Sequence, residues 1–81
     1  MENKWTKVEG KLIKTYEFSD FKEALRFINW VGAVAEAHRH HPKIENIYNS
    51  VTLTLWTHEQ NDLTDLDYQL ADAIDENMRY L

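Results

Sequence analysis

Four histidines are the side chains of this sequence best suited to chemistry near neutral pH. His38, His40 and His41 lie within four consecutive positions, and His58 follows seventeen residues after His41. Imidazole has an unperturbed pKa of about 6.5, so it can donate or accept a proton under physiological conditions. Glu36 precedes His40 by four residues, a spacing that places two side chains on one face of a helix. We therefore expect Glu36 to accept a hydrogen bond from His40 and to orient its ring.

Two other interpretations of these histidines stay open. Polar residues are common at the ends of helices and strands, so the rings could be ordinary surface side chains. His38, His40 and His58 could instead supply three nitrogen ligands to a zinc ion. The chain has no cysteine and no H-E-x-x-H sequence, and a site without metal is therefore the stronger expectation.

The backbone must break to bring these rings together. Adjacent residues of a helix point about 100° apart, so His40 and His41 serve one pocket only if the helix ends near them. Pro42 favours such an end, because the residue before a proline avoids the helical region. His58 follows the last predicted strand. If that strand stays straight, alternation places His58 on the same face as Trp56, which is the sheet face not covered by helices.

Two hairpins account for the predicted strands. Their strands are residues 4–8 and 11–18 in the first hairpin and residues 44–48 and 51–57 in the second. Glu9-Gly10 and Asn49-Ser50 are the predicted turns. In the last strand one face should carry Val51, Leu53 and Leu55, and the other Thr52, Thr54 and Trp56.

Each helix has a start signal. Asp20 is followed three residues later by Glu23, and Thr64 is followed by Asp65 and Asp67 in a first helical turn. The apolar face of the first helix should comprise Phe21, Ala24, Leu25, Ile28, Val31 and Ala35. That of the second should comprise Leu66, Leu70, Ala73, Ile74, Met78 and Leu81, with Asn77 as a polar member. The order ββαββα predicts an α+β fold, a four-stranded antiparallel sheet with helices packed on one face.

Length and charge restrict the class of protein further. The 81 residues suffice for a single domain, 1–81, and without a disulfide a homo-oligomer would add buried surface. The net charge of −5 argues against nucleic acid as a partner. No apolar stretch approaches the roughly 20 residues of a membrane span, and the N-terminus has no signal-peptide core, so we expect a cytoplasmic protein without a membrane partner.

One extended pattern resembles a known family. Glu36 is followed after three positions by His40-His41-Pro42, and the remaining anchors keep fixed spacings, namely Tyr48 after five positions, His58 after nine and Asp67 after eight. This pattern is similar to the signature of the pterin-4a-carbinolamine dehydratases. Further features typical of that family are Trp5, Phe18, Asn46-Ile47-Tyr48-Asn49, Thr57-His58-Glu59 and Leu63-Thr64.

The resemblance implies a dehydratase (a hydro-lyase) that needs no metal or cofactor. Its small-molecule substrate would be 4a-hydroxytetrahydrobiopterin, which loses water to form quinonoid dihydrobiopterin, so the enzyme would support tetrahydrobiopterin recycling. The resemblance also implies a four-stranded sheet with helices, assembled as a homodimer or homotetramer. His40 and His58 would be the acid/base pair, in an order left open, and His41 would bind and orient the pterin.

The resemblance extends to residues around this histidine set. Those expected to bind or orient the substrate or the histidines are Glu36, Tyr48, Trp56, Thr57, Glu59 and Asp67. Tyr48 and Trp56 could equally pack on the sheet, and Asp67 could stabilise the start of a helix. Two other functions stay open: a protein-interaction module, since animal members serve as dimerisation cofactors of a homeodomain transcription factor, and pterin binding without turnover.

Overall fold

The elements follow the predicted order. A computed structural model describes residues 4–78 of the chain. Its elements are β1 Thr6–Val8, β2 Lys11–Glu17, α1 Phe21–His38, β3 Lys43–Ile47, β4 Ser50–Leu55 and α2 Asp65–Asn77. The four strands form one antiparallel sheet in the order β1-β2-β4-β3, which confirms the predicted α+β architecture. Neither described helix is long and apolar enough to cross a membrane.

Tight turns close both hairpins. Glu9 and Gly10 both have positive φ, 48° and 74°, as a two-residue turn between twisted strands requires. The second turn consists of Tyr48 and Asn49, because Ser50 already pairs with Ile47, so the predicted turn at Asn49-Ser50 was wrong by one residue. The side-chain amide of Asn46 donates to the backbone carbonyls of Tyr48 and Ser50 and so stabilises this earlier turn.

The hydrophobic core lies between one sheet face and the helices. Val51, Leu53 and Leu55 of β4 are fully buried, which confirms the predicted alternation. They pair across the sheet with β2, where Leu12 and Tyr16 point to the same side and are also buried.

Helix α1 begins as predicted but packs through a shifted face. The Asp20 carboxylate accepts the backbone N–H of Glu23 at 2.9 Å and caps the first turn. The buried residues are Ala24, Phe27, Val31 and Ala35. Phe21 and Leu25 are 46% and 42% exposed, so their assignment to the core was wrong. Successive side chains of a helix are rotated by 100° about its axis, so Phe27 and Leu25 lie on opposite sides of Val31. The side that carries Phe27 faces the sheet.

Helix α2 begins at the predicted cap, Thr64, and also packs through a face shifted from the predicted one. Its buried residues are Asp67, Leu70, Ala71 and Ile74. Leu66 is 44% exposed, contrary to prediction, whereas Met78 packs against the core as expected. The predicted contact of Leu81 lies outside the described residues. The burial of Asp67, a carboxylate, is the feature that leads to the functional site.

Candidate active site

The end of α1 separates the two adjacent histidines. Arg39 adopts a left-handed conformation, with φ 52°, and ends the helix. The backbone N–H of His40 then returns to the carbonyl of Ala35 at 3.1 Å. As a result His40 is buried, with 9% of its surface exposed, while His41 is exposed. The helix therefore ends near the histidine pair, as predicted.

A buried carboxylate holds His40. Its Nε2 lies 2.6 Å from Oδ1 of Asp67, which is fully buried. The second oxygen of Asp67 accepts two further hydrogen bonds, from the hydroxyl of Thr57 at 2.8 Å and from the backbone N–H of Thr64 at 3.0 Å. Asp67 therefore caps α2 and orients His40 at the same time, since its two oxygens serve different partners.

An exposed carboxylate holds His41. Its Nε2 lies 2.6 Å from Oε2 of Glu36, and both side chains are more than half exposed. The prediction that Glu36 orients His40 was therefore wrong. The expected i,i+4 geometry requires a continuous helix, but the left-handed Arg39 breaks it before His40 and brings His41 over Glu36 instead.

His58 is carried by a tight turn rather than by a straight strand. β4 ends at Leu55, and the following turn is closed where Thr57 pairs with Asp62, with its N–H donating to the Asp62 carbonyl at 2.9 Å. The ring of His58 packs against Trp56, with ring centroids 4.6 Å apart and planes tilted by 41°. The turn, and not strand alternation, therefore sets the direction of His58.

The three rings meet at one cavity. Its volume is about 180 Å³, and its lining residues are Arg39, His40, His41, His58 and Glu59. Two segments far apart in sequence, the end of α1 and the turn after β4, thus contribute to a single concave surface. Four of the five lining residues were predicted site residues. Arg39 was missed, although its place directly before the histidine pair was a signal that could have identified it.

The other predicted site residues lie around the cavity. Glu36, Thr57 and Asp67 hold the histidines or one another by hydrogen bonds, and Trp56 packs on His58. Tyr48 does not line the cavity. It lies in the turn between β3 and β4 with 62% of its surface exposed.

The hydrogen bonds determine the tautomers of two histidines. An ionised carboxylate can only accept, so the Nε2 atoms of His40 and His41 must each carry the proton that is donated. In the neutral rings Nδ1 is then the acceptor. His38, the third ligand of the alternative zinc site, does not line the cavity, and the described residues contain no group of three or more metal-binding side chains suitably arranged.

An antiparallel sheet backed by helices defines an α+β protein, and its small cavity is lined by three imidazoles, side chains that can exchange protons near neutral pH. Comparison with known proteins supplies the family. Residues 1–77 match the family model described as Pterin 4 alpha carbinolamine dehydratase, and the chain belongs to this family of hydro-lyases.

Individual relatives agree with that membership. A protein of Prochlorococcus marinus with the provisional name pterin-4-alpha-carbinolamine dehydratase is 44% identical over 71 residues, which cover 88% of this chain and 74% of that protein. A protein of Metallosphaera sedula with the same provisional name is 42% identical over 72 residues, covering 89% and 75%. The crystal structure of a transcriptional coactivator/pterin dehydratase from Brucella melitensis has a TM-score of 0.83 at 35% identity, covering 89% of this chain and 79% of that one.

Proposed function

We propose that the chain dehydrates 4a-hydroxytetrahydrobiopterin to quinonoid dihydrobiopterin by general acid/base catalysis with His40 and His58. The observation that carries this proposal is the convergence of three imidazoles on one cavity, two of them each held by a carboxylate at 2.6 Å. Family membership supports the choice of substrate. The reaction needs no external oxidant or reductant, because the substrate only loses water.

His40 acts as the base. Its Nε2–H is committed to Asp67, so Nδ1 offers a lone pair to the proton on the pterin ring nitrogen. As that proton leaves, the nitrogen forms a double bond to the 4a carbon. The charged ring of His40 that results lies 2.6 Å from the carboxylate of Asp67, which stabilises it without any rearrangement.

His58 acts as the acid. Hydroxide is a poor leaving group, so the 4a oxygen must receive a proton as the C–O bond breaks and water departs. Within the described part of the chain the His58 ring packs on Trp56 and forms no hydrogen bond, which leaves both nitrogens for the substrate and for solvent. Each of the two proton transfers is typically worth about 10²–10⁴-fold in rate. Solvent then returns both rings to their starting states.

His41 and its partner Glu36 orient the pterin at the mouth of the cavity. The Glu36–His41 pair is exposed, whereas the His40–Asp67 pair is buried, so the two histidines differ in access to solvent. Arg39 and Glu59 complete the rim with one positive and one negative side chain. The proposal also includes assembly into a homodimer or homotetramer, favoured by exposed apolar side chains such as Phe21 and Leu25. A cytoplasmic location stays a prediction.

Alanine variants test this function directly. We expect His40→Ala and His58→Ala each to lower the turnover of 4a-hydroxytetrahydrobiopterin at least tenfold, by about the loss of one proton transfer. His38→Ala is the matched control, because His38 is exposed and does not line the cavity. Decay of the substrate is followed by absorbance, with thermal melting to show that each variant folds. Full activity in both cavity variants would refute the assignment.

A further inference from the structure

Two threonine hydroxyls form a hydrogen-bonded group with Asp67, and neither threonine lines the cavity. The Thr57 hydroxyl donates to Oδ2 of Asp67 at 2.8 Å, and its oxygen lies 2.6 Å from the hydroxyl oxygen of Thr64. Thr57 is only 5% exposed, so water cannot readily replace either partner. The proposed mechanism assigns no role to these hydroxyls.

The direction of every proton in this group follows from counting donors. The single hydroxyl proton of Thr57 is used on the carboxylate of Asp67, which can only accept. The short contact between the threonines therefore requires the Thr64 hydroxyl to donate to Thr57. Thr64 in turn accepts the backbone N–H of Leu66 at 3.3 Å. The result is a one-way chain of hydrogen bonds that begins at the first turn of α2 and ends at Asp67.

Thr57 also joins the two halves of the site. Its backbone N–H and carbonyl hold the turn that carries His58, through Asp62 and Gln60 respectively. Its side chain holds Asp67, which holds His40. One residue thus links the position of the proposed acid to that of the proposed base.

We propose that the hydroxyls of Thr57 and Thr64 form a positioning relay, which fixes the Asp67 carboxylate and with it the ring of His40 relative to His58. This inference rests on the proposed acid/base function. Without the donor from Thr57, Oδ2 keeps only the backbone N–H of Thr64, and the carboxylate can rotate about its side-chain bonds. Small misplacements of a catalytic group cost up to roughly 10²-fold in rate.

The test compares Thr57→Val, which keeps the shape of the side chain and removes the hydroxyl, with Thr57→Ser, which keeps the hydroxyl. We expect Thr57→Val to lower kcat roughly fivefold to a hundredfold with KM changed less than about twofold, because Thr57 holds none of the rim residues Arg39, His41 and Glu59. Thr57→Ser should restore kcat to within about twofold of the parent chain. In the proton NMR spectrum, the Nε2–H signal of His40 should exchange with solvent faster in the valine variant than in the serine variant.

A Thr57→Val enzyme with the parent kcat and an unchanged His40 signal would overturn the relay. So would equal losses in the valine and serine variants, because the hydroxyl would then not be responsible. If Thr57→Val does not fold, proton NMR of the parent chain provides the test instead. The relay requires slowly exchanging hydroxyl proton signals for Thr57 and Thr64, and their absence would overturn it. Full activity of His40→Ala would instead overturn the proposed function, whatever the threonine variants show.

Discussion

Replacing Asp67 by asparagine would test the orientation of His40 with the smallest change of shape. Asp67→Asn keeps the side-chain volume but removes the charge and turns one accepting oxygen into an NH₂ donor. In the parent chain that carboxylate accepts from three groups, His40, Thr57 and Thr64. An amide cannot accept hydrogen bonds from all three donors through both of its ends. One of the three groups must therefore face the new NH₂ donor.

The surroundings decide which way the amide would turn. The donor from Thr64 is a backbone N–H, which cannot be reversed, and the Thr57 hydroxyl approaches the same oxygen. The amide oxygen should therefore face the threonines, and the NH₂ group should face His40. Nε2 of His40 must then accept, so the ring proton moves to Nδ1. The proposed base would lose its available lone pair.

The magnitude follows from that reversal. A general base is typically worth about 10²–10⁴-fold, and in serine-protease triads the same Asp-to-Asn change costs about 10⁴-fold in kcat. We therefore expect Asp67→Asn to lower kcat by about 10²–10⁴-fold. The free energy of unfolding should fall by only about 1–3 kcal/mol, because hydrogen bonds to a charged acceptor are replaced by neutral ones.

The assay follows the decay of 4a-hydroxytetrahydrobiopterin, urea denaturation measures stability, and nitrogen-15 chemical shifts identify the protonated nitrogen of His40. Asp65→Asn is the matched control, because Asp65 is an exposed acidic residue in the same first turn of α2. This control should change kcat less than about twofold, because it removes only a charge at the helix end and leaves the proposed base intact. A kcat near the parent value in Asp67→Asn, with the His40 proton moved to Nδ1, would show that His40 is not the base.

Three further predictions concern stability and metal dependence. Burial, together with the charge of Asp75 and the hydrogen bond to it, raises the pKa of Tyr16. Unfolded Tyr16 therefore loses its proton first, and the free energy of unfolding should fall above about pH 10 by up to about 1.4 kcal/mol per pH unit from this group. Tyr16→Phe should show a shallower alkaline slope in urea titrations and lose about 1–2 kcal/mol at neutral pH; an unchanged slope would contradict this. Gly10→Ala should lower the free energy of unfolding by about 1–2 kcal/mol. The reason is that Gly10 has φ 74° and that the added Cβ would lie 2.9 Å from Oδ1 of Asp62. A variant as stable as the parent chain in urea would show that this turn tolerates a side chain. Exhaustive chelation should leave turnover unchanged in the same absorbance assay, whereas a loss restored by zinc would favour the metal-site alternative.

Local interactions made much of this protein predictable from its sequence. The cap at Asp20, the turn at Glu9-Gly10 and the alternation of β4 each depend on residues within a few positions of one another. The spacing of the histidines, together with the family resemblance, also identified the three imidazoles that line the cavity. The cap, the turn and the alternation are encoded by neighbouring residues, so their prediction needed no knowledge of distant contacts, whereas the histidine set was identified from the family pattern.

Tertiary packing decided which carboxylate holds which histidine. Sequence spacing favoured Glu36 for His40, but the left-handed Arg39 redirects the chain, and a residue 27 positions away, Asp67, takes that place. Tertiary packing also determined that Phe27, and not Leu25, is buried in the core. The two residues lie on opposite sides of the apolar face of the helix, and only the docking of the helix on the sheet distinguishes them. The order of residues thus determined which imidazoles are available to the cavity, whereas the packing of two segments determined how each imidazole is oriented.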